Sequence, residues 1–436
     1  MRKHIQDKDP LYTFLKYFVD WSVKSSFRKY QVEGLDNIPA DGSVIWGANH
    51  TNALMDPMVL LSSSGIRKVF VARADIFRKN WARKALYFLR VMPIYRIRDG
   101  INAVKHNDAA IAQATGVVLD GVPFVIYPEA THRPKHSLLK LSKGIFHIAE
   151  SAIAQSPQGK PVYIQPIGIE YSDYFRFRND VLIRFGQPIN ITEIMKKHSD
   201  EPEPVMLLKL REHLTEKLAE LIVYIPDDED YDAIWEYAKL KADNPDYYKK
   251  ALAEIESKGG RLKGLLKIQA VDKYAVAEAL SLREKDPESA RELFGKVDAL
   301  RVWRIQNGIS VYSIANEPSG LKLFFKTLVA LLGLPYYCFC AVVGGIKWIP
   351  ITLILRGVKD DAFYNTARYG VRLALAIPAL IIWSLLYFLL LNWKLAAVLL
   401  LFSLPSLKYL YDYGRFFRHF SSDVRWIFKK KRAPRL

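Results

Sequence analysis

Val44-Ile45-Trp46-Gly47-Ala48-Asn49-His50-Thr51-Asn52-Ala53-Leu54-Met55-Asp56-Pro57 changes character twice. Its first five residues are an apolar run too short for a helix, and they read as a buried strand. The polar residues that follow cannot continue such a strand, so the chain must turn. Asp56-Pro57 then predicts a helix beginning at Pro57, because the residue before a proline avoids the helical region and proline is favoured at the first helical position. Strand, loop and helix in this order form the repeating unit of an α/β domain. The loop holds an imidazole and a carboxylate, and a His steadied by an Asp can take a proton from a hydroxyl.

The same alternation extends outward to about residue 190. Apolar runs at 43–48, 68–72, 123–127, 162–169 and 181–185 read as strands, with helical patterns at 57–64, 78–89, 100–118 and 140–155 between them. Ahead of this domain, residues 1–30 mix aromatic and basic side chains at helical spacing. They read either as a membrane-associated helix at the lipid interface or as an amphipathic helix packed on its own domain. Beyond it, 191–320 becomes rich in Ala, Glu and Lys, and Leu207, Leu210, Leu214, Leu218 and Leu221 keep helical spacing. This is the pattern of a helical subdomain without evident chemistry.

Half of the 436 residues are hydrophobic although 25% are charged, so the apolar residues must be concentrated somewhere. They gather at 321–410. The stretch 327–346 is uncharged, lies between Lys326 and Lys347, and is long enough to cross a bilayer. With Pro335 and Pro350 as bends, two hairpins are expected at 323–355 and 373–407, spanning or re-entrant. The basic tail, 411–436, should stay cytoplasmic. A catalytic domain on the same side then requires an even number of crossings. The net charge of +18 implies an anionic partner. Anionic lipids or phosphorylated substrates fit better than nucleic acid, because the basic residues flank apolar segments and form no nucleic-acid-binding motif. Cys338 and Cys340 sit within an apolar run, which argues against a disulfide framework or a Cys-rich metal site and fits a reducing compartment. Residues 1–10 lack the apolar core of a secretory signal.

Four segments occur together in a known order: Asn49-His50 through Asp56-Pro57, then Pro93-Ile94-Tyr95-Arg96, then Tyr127-Pro128-Glu129-Ala130-Thr131-His132-Arg133-Pro134, and finally the run 162–168 around Pro166. In order and rough spacing they resemble the four blocks of the PlsC-like glycerolipid acyltransferases, which include the glycerol-3-phosphate and lysophosphatidate acyltransferases. The resemblance covers roughly residues 30–190. It implies an α/β catalytic domain at 31–190 with a mixed sheet flanked by helices, carried by a chain with a helical insert and C-terminal transmembrane helices. It also implies transfer of a fatty acyl group from acyl-CoA or acyl carrier protein, with no cofactor and no metal. The acceptor would be glycerol 3-phosphate in the first instance, with lysophosphatidate as the alternative. A non-catalytic lipid-binding scaffold is the alternative of another class. The expected setting is a membrane with a cytoplasmic active site, a bacterial inner membrane or, in a eukaryote, the endoplasmic reticulum.

By the same resemblance His50 is the general base and Asp56 orients it, while Arg96, Glu129 and Arg133 form the phosphate-binding set. Arg98, Lys143 and Pro166 are supporting candidates. Three departures stand out. Five residues, not four, separate His50 from Asp56, which resembles the fungal-type glycerol-3-phosphate/dihydroxyacetone-phosphate acyltransferases. On a straight helix this spacing leaves the two side chains about 120° apart, so a loop must bring them together. Asp56 could alternatively be an ordinary N-cap. Ala130 stands where the family has Gly, and Ala tolerates a positive φ poorly. His132 is inserted before Arg133. It lies four residues from His136, but Pro134 between them breaks the helix that a metal-binding pair would need.

Overall fold

The computed structural model describes residues 4–94, 101–156 and 159–435. Its elements begin with α1 (Pro10–Ser26), β1 (Lys29–Glu33), β2 (Ser43–Ala48), α2 (Met55–Leu61), β3 (Val69–Arg73), α3 (Asn80–Phe88), β4 (Val91–Ile94) and α4 (Ile101–Leu119). They continue with β5 (Phe124–Ile126), α5 (Gly144–Gln155), β6 (Val162–Tyr171), β7 (Asp180–Phe185), β8 (Ile189–Asn190), α6 (Ile191–Lys197) and α7 (Glu203–Ala219). These elements form one compact unit, Met1–Phe175 with Asn179–Ile222.

Its sheet runs β1-β7-β6-β2-β5-β3-β4, with β8 paired to β6. The strands β6, β2, β5, β3 and β4 are parallel, and β7 turns antiparallel on β6 and carries β1. The mixed α/β sheet read from the sequence is therefore present. Three strands escaped that reading. β4 contains Pro93, β8 is two residues long, and β1 pairs only with β7. From β2 the chain goes out to β3 and β4, then returns through β5 to β6. In parallel sheets, sites form outside the carboxyl ends of strands where such a reversal occurs. Here that edge is where β2 gives way to Asn49 and β5 to Tyr127.

The leucine register of α7 faces this sheet. Leu207, Leu210, Leu214 and Leu218 are buried with Ile45, Phe124, Ile145 and Ile164, each leucine adding about 2 kcal/mol of hydrophobic stabilisation. The unit thus extends to Ile222, about thirty residues past the boundary expected at 190. Gly47 lets α5 approach β2, since a Cβ there would lie 3.0 Å from Ile145 Cδ1.

The second unit, Arg176–Arg178 with Val223–Leu436, is helical. α8 (Tyr231–Ala242), α9 (Pro245–Gly259), α10 (Leu265–Lys285), α11 (Pro287–Gln306) and α12 (Val311–Asn316) precede α13 (Gly320–Leu355). Ile234, Ala275, Ala279, Ala290 and Phe294 form part of the core of this helical region. α14 (Tyr364–Ala374), α15 (Ala376–Leu390), α16 (Trp393–Ser403) and α17 (Ser406–Lys429) complete it.

The hairpin expected at 323–355 is instead one helix of 36 residues that contains both Pro335 and Pro350. Proline removes one backbone donor and bends a helix, but a long apolar helix tolerates it. α13 is long and apolar enough to cross a membrane by itself. Two further spans are reached only if each bent pair counts as one, 361–374 with 376–390 (48°) and 393–403 with 406–432 (50°). Within the stretch expected as the second hairpin, α15 and α16 meet at Asn392, whose side chain accepts from Leu395 N and caps α16.

Candidate active site

At the end of β2, Asn49 clips the loop to β6. Its side chain accepts from Ile169 N at 2.7 Å and donates to Ile169 O at 3.0 Å. His50 is held through its backbone on both sides. Its N–H donates to Glu129 Oε1 at 2.8 Å, and its carbonyl accepts from Arg133 N at 3.1 Å. The ring stacks on Tyr127 with centroids 4.5 Å apart, and the His132 ring stands edge-on at 5.5 Å. Its Nδ1 lies 2.7 Å from Asp56 Oδ2.

The loop reaches that contact by turning back on itself. Ala53 adopts φ +39°, a left-handed value that costs an L-residue about 1–2 kcal/mol. α2 begins at Met55 and not at Pro57, closed by Met55 N donating to Asn52 O at 2.8 Å. Asp56 therefore sits inside the first turn, and its side chain points back over the preceding loop. Oδ2 accepts from Thr51 N at 2.7 Å and Asn52 N at 2.8 Å, and Oδ1 from Tyr171 Oη at 2.8 Å. Asp56 thus closes the loop and orients the imidazole at once, so the plain N-cap reading does not describe it.

This environment sets the proton positions. Two backbone N–H groups and a phenol all donate to the fully buried carboxyl, so both of its oxygens act as acceptors. His50 Nδ1 then carries its hydrogen toward Asp56, leaving Nε2 as the basic atom. Burial, reinforced by the charge of Asp56, pushes the phenols of Tyr171 and Tyr127 well above their usual pKa, so both stay protonated. The His50 side chain keeps 18% of its surface open, and Asp56 none.

Glu129, expected in the phosphate-binding set, has a different place. Both of its oxygens are taken by backbone donors, His50 N at 2.8 Å and Leu139 N at 2.8 Å. A carboxylate would also repel phosphate. Glu129 is a brace between the His50 loop and the third block. Burial raises its pKa, and the two N–H bonds oppose that rise. Ala130, where the family has Gly, does take the left-handed conformation, φ +58°. Arg133 contributes its backbone to His50 and donates from Nη2 to Ser137 Oγ at 2.8 Å. Pro166 is buried in β6 opposite Gly47, a place in the sheet core. Lys143 is the N-cap residue of α5 and is exposed. His136 Nδ1 lies 3.3 Å from Tyr174 Oη. Arg96 and Arg98 lie outside the described residues, just past the end of β4 at Ile94.

The sequence reading missed Asn49, Tyr127 and Tyr171 as parts of this site. Asn49 and Tyr127 flank residues that it did single out. Tyr171, 115 residues from its partner, carried no local signal.

The acyltransferase family model matches residues 29–170, the stretch that contains the His50–Asp56 pair, Glu129 and the strands between them. Residues 29–170 form an acyltransferase-family domain. The chain spans less than half the length of the curated relative that it matches. A lyso-ornithine lipid O-acyltransferase from Rhizobium meliloti is 30% identical over 129 residues, which is 30% of this chain and 41% of that relative. Among solved structures, the 1-acyl-sn-glycerophosphate acyltransferase PlsC from Thermotoga maritima is similar with 21% identity. That alignment covers 49% of this chain and 81% of PlsC, at a TM-score of 0.36.

Proposed function

We propose that this protein is a membrane O-acyltransferase that moves a fatty acyl group from a thioester to a free hydroxyl of a single-chain lipid. The observation that carries the reading is Asp56, buried, saturated with donors, and holding Nδ1 of a partly open His50. A base so arranged needs no covalent enzyme intermediate. Nε2 of His50 takes the proton of the acceptor hydroxyl as its oxygen bonds to the thioester carbonyl carbon. The C–S bond then breaks, the ester forms and the thiolate leaves, and the imidazolium proton passes to the thiolate or to water. Asp56 stabilises the imidazolium while it exists. Neither cysteine is required.

The acceptor class rests on the lysolipid substrate in the name of the curated relative. A second reading, glycerol 3-phosphate as acceptor, is favoured by the five residues between His50 and Asp56, the spacing that resembles the fungal-type enzymes. Acyl-CoA and acyl carrier protein both supply the thioester that this chemistry needs. The apolar α13 provides the membrane anchor.

The experiment is acceptor profiling. The purified full chain in detergent receives one labelled thioester donor and, separately, glycerol 3-phosphate, 1-acylglycerol 3-phosphate and lyso-ornithine lipid. Labelled diacyl product from a lysolipid is expected. Product from glycerol 3-phosphate alone would replace this reading with the second one, and no product from any acceptor would remove both.

A further inference from the structure

α3 is built unlike the other helices of the sheet unit. None of its residues is buried. Trp81 is 70% exposed, and Ile76 in the short turn ahead of the helix and Leu89 just past its end are 45% and 51% exposed. Between Ile76 and Leu89 the chain carries Arg78, Lys79, Arg83 and Lys84 and no carboxylate. Large apolar side chains left in water beside unopposed cations are costly unless something covers them. α1 extends the same surface. Its inner residue Tyr12 meets Phe88 of α3 edge-on at 6.1 Å, while Phe14 and Trp21 on α1 are 73% and 66% exposed. The single carboxylate within α1, Asp20, is bonded to Lys16 at 2.6 Å.

The position of this surface ties it to the site. The lead into α3 leaves the carboxyl end of β3, the same edge from which His50 follows β2. β3 is two places from β2 in the sheet, about 10 Å at ordinary strand spacing.

We infer that α3, continuous with α1, is a membrane-docking surface of the acyltransferase domain. Trp81 and Leu89 enter the headgroup and acyl boundary, and the four cations seat on anionic lipid. Aromatic and aliphatic side chains flanked by Lys and Arg are the composition of an interfacial helix. Each cation near such a membrane adds to the attraction by its anionic headgroups. The occupant is thus an anionic bilayer, in which a lipid acceptor can approach the carboxyl edge without crossing water. This inference deepens the proposed function but does not depend on the chemistry at His50.

The test uses the full chain in nanodiscs of phosphatidylcholine with phosphatidylglycerol, in a Cys338→Ser, Cys340→Ser background. Nitroxide labels are placed by Trp81→Cys, Leu89→Cys and, as a water-exposed reference on the sheet unit, Gln187→Cys. Power saturation then compares relaxation by oxygen with relaxation by a nickel chelate. Labels at 81 and 89 should respond to oxygen over nickel, with the opposite preference at 187. The preference at 81 should weaken when phosphatidylglycerol is left out or when Lys79→Gln and Lys84→Gln are added. A nickel-dominated response at 81 and 89 would overturn the inference, because the face would then lie in water. Shielding from both agents would also overturn it, in favour of a protein partner such as a second copy. Loss of acyl transfer without any change in these labels would count against the catalytic reading and leave the docking surface standing.

Discussion

α2 and α3 both follow parallel strands of one sheet, and both leave its carboxyl edge, yet they are built to opposite ends. α2 has four buried residues out of seven and is fixed at both termini. At its start Asp56 gathers Thr51, Asn52, Tyr171 and His50. At its end the fully buried Lys68 donates to the carbonyls of Leu60 and Leu61, each at 3.2 Å, and lies over the Trp46 ring. Burial pushes the Lys68 amine well below its usual pKa. Nine residues of α3, by contrast, contribute no buried side chain. The difference teaches that rigidity is concentrated where a proton must be held in place, and that apolar surface is left open where the substrate's own medium covers it.

The comparison can be broken most severely at Asp56. Asp56→Asn removes the charge that steadies the imidazolium and sets an amide against backbone N–H groups, so kcat should fall about 10²-fold or more, with KM little changed. Initial rates of thiol release, with circular dichroism to confirm folding, check this. Unchanged kcat would mean that α2 is merely buried. Tyr171→Phe is milder. It deletes one hydrogen bond to a charged acceptor, worth about 1.5–3 kcal/mol, and should lower kcat about tenfold while leaving Asp56 its backbone donors.

Glu129 gives a smaller, pH-dependent effect. Its folded pKa is raised, so the folded state takes up its proton ahead of the unfolded chain. The stability this contributes is fully present below the unfolded pKa and is lost as pH rises through the folded pKa. Hydrogen exchange over 129–139, corrected for intrinsic rate, should therefore show protection falling across that window in the wild type. The slope should vanish in Glu129→Gln, and a slope retained in that variant would assign it to another group. The smallest effect belongs to α3. Trp81→Ser should leave kcat unchanged toward a detergent-dispersed acceptor and shift stability by no more than about 0.5 kcal/mol. A large loss of stability on thermal melting would show that α3 packs like α2 after all.

Much of the sheet was legible because its central strands are fully buried, and burial writes an unbroken apolar run. β2 was read to the residue. β1 and β4 lie at the two edges of the sheet, where that signature fades. The hydrophobic spacing of α7 was also legible, but not its partner, because periodicity shows that a face is buried and not against what. At 320–355 two prolines read as turns, yet a long apolar helix absorbed both. In the site, His50 and Asp56 were readable from six residues of separation plus the companion blocks. That Glu129 braces backbone was not, because its two partners lie 79 and 10 residues away and are main-chain groups that any sequence would supply.

The central claim is that His50, oriented by Asp56, removes the proton of the acceptor. The most direct measurement is the single-turnover rate of labelled product formation by full-length wild type and His50→Ala in the same detergent, with the lysolipid that the wild type accepts. The account predicts a loss of about 10²–10⁴-fold in His50→Ala with the fold intact. A well-folded His50→Ala protein that forms product at the wild-type rate would contradict it.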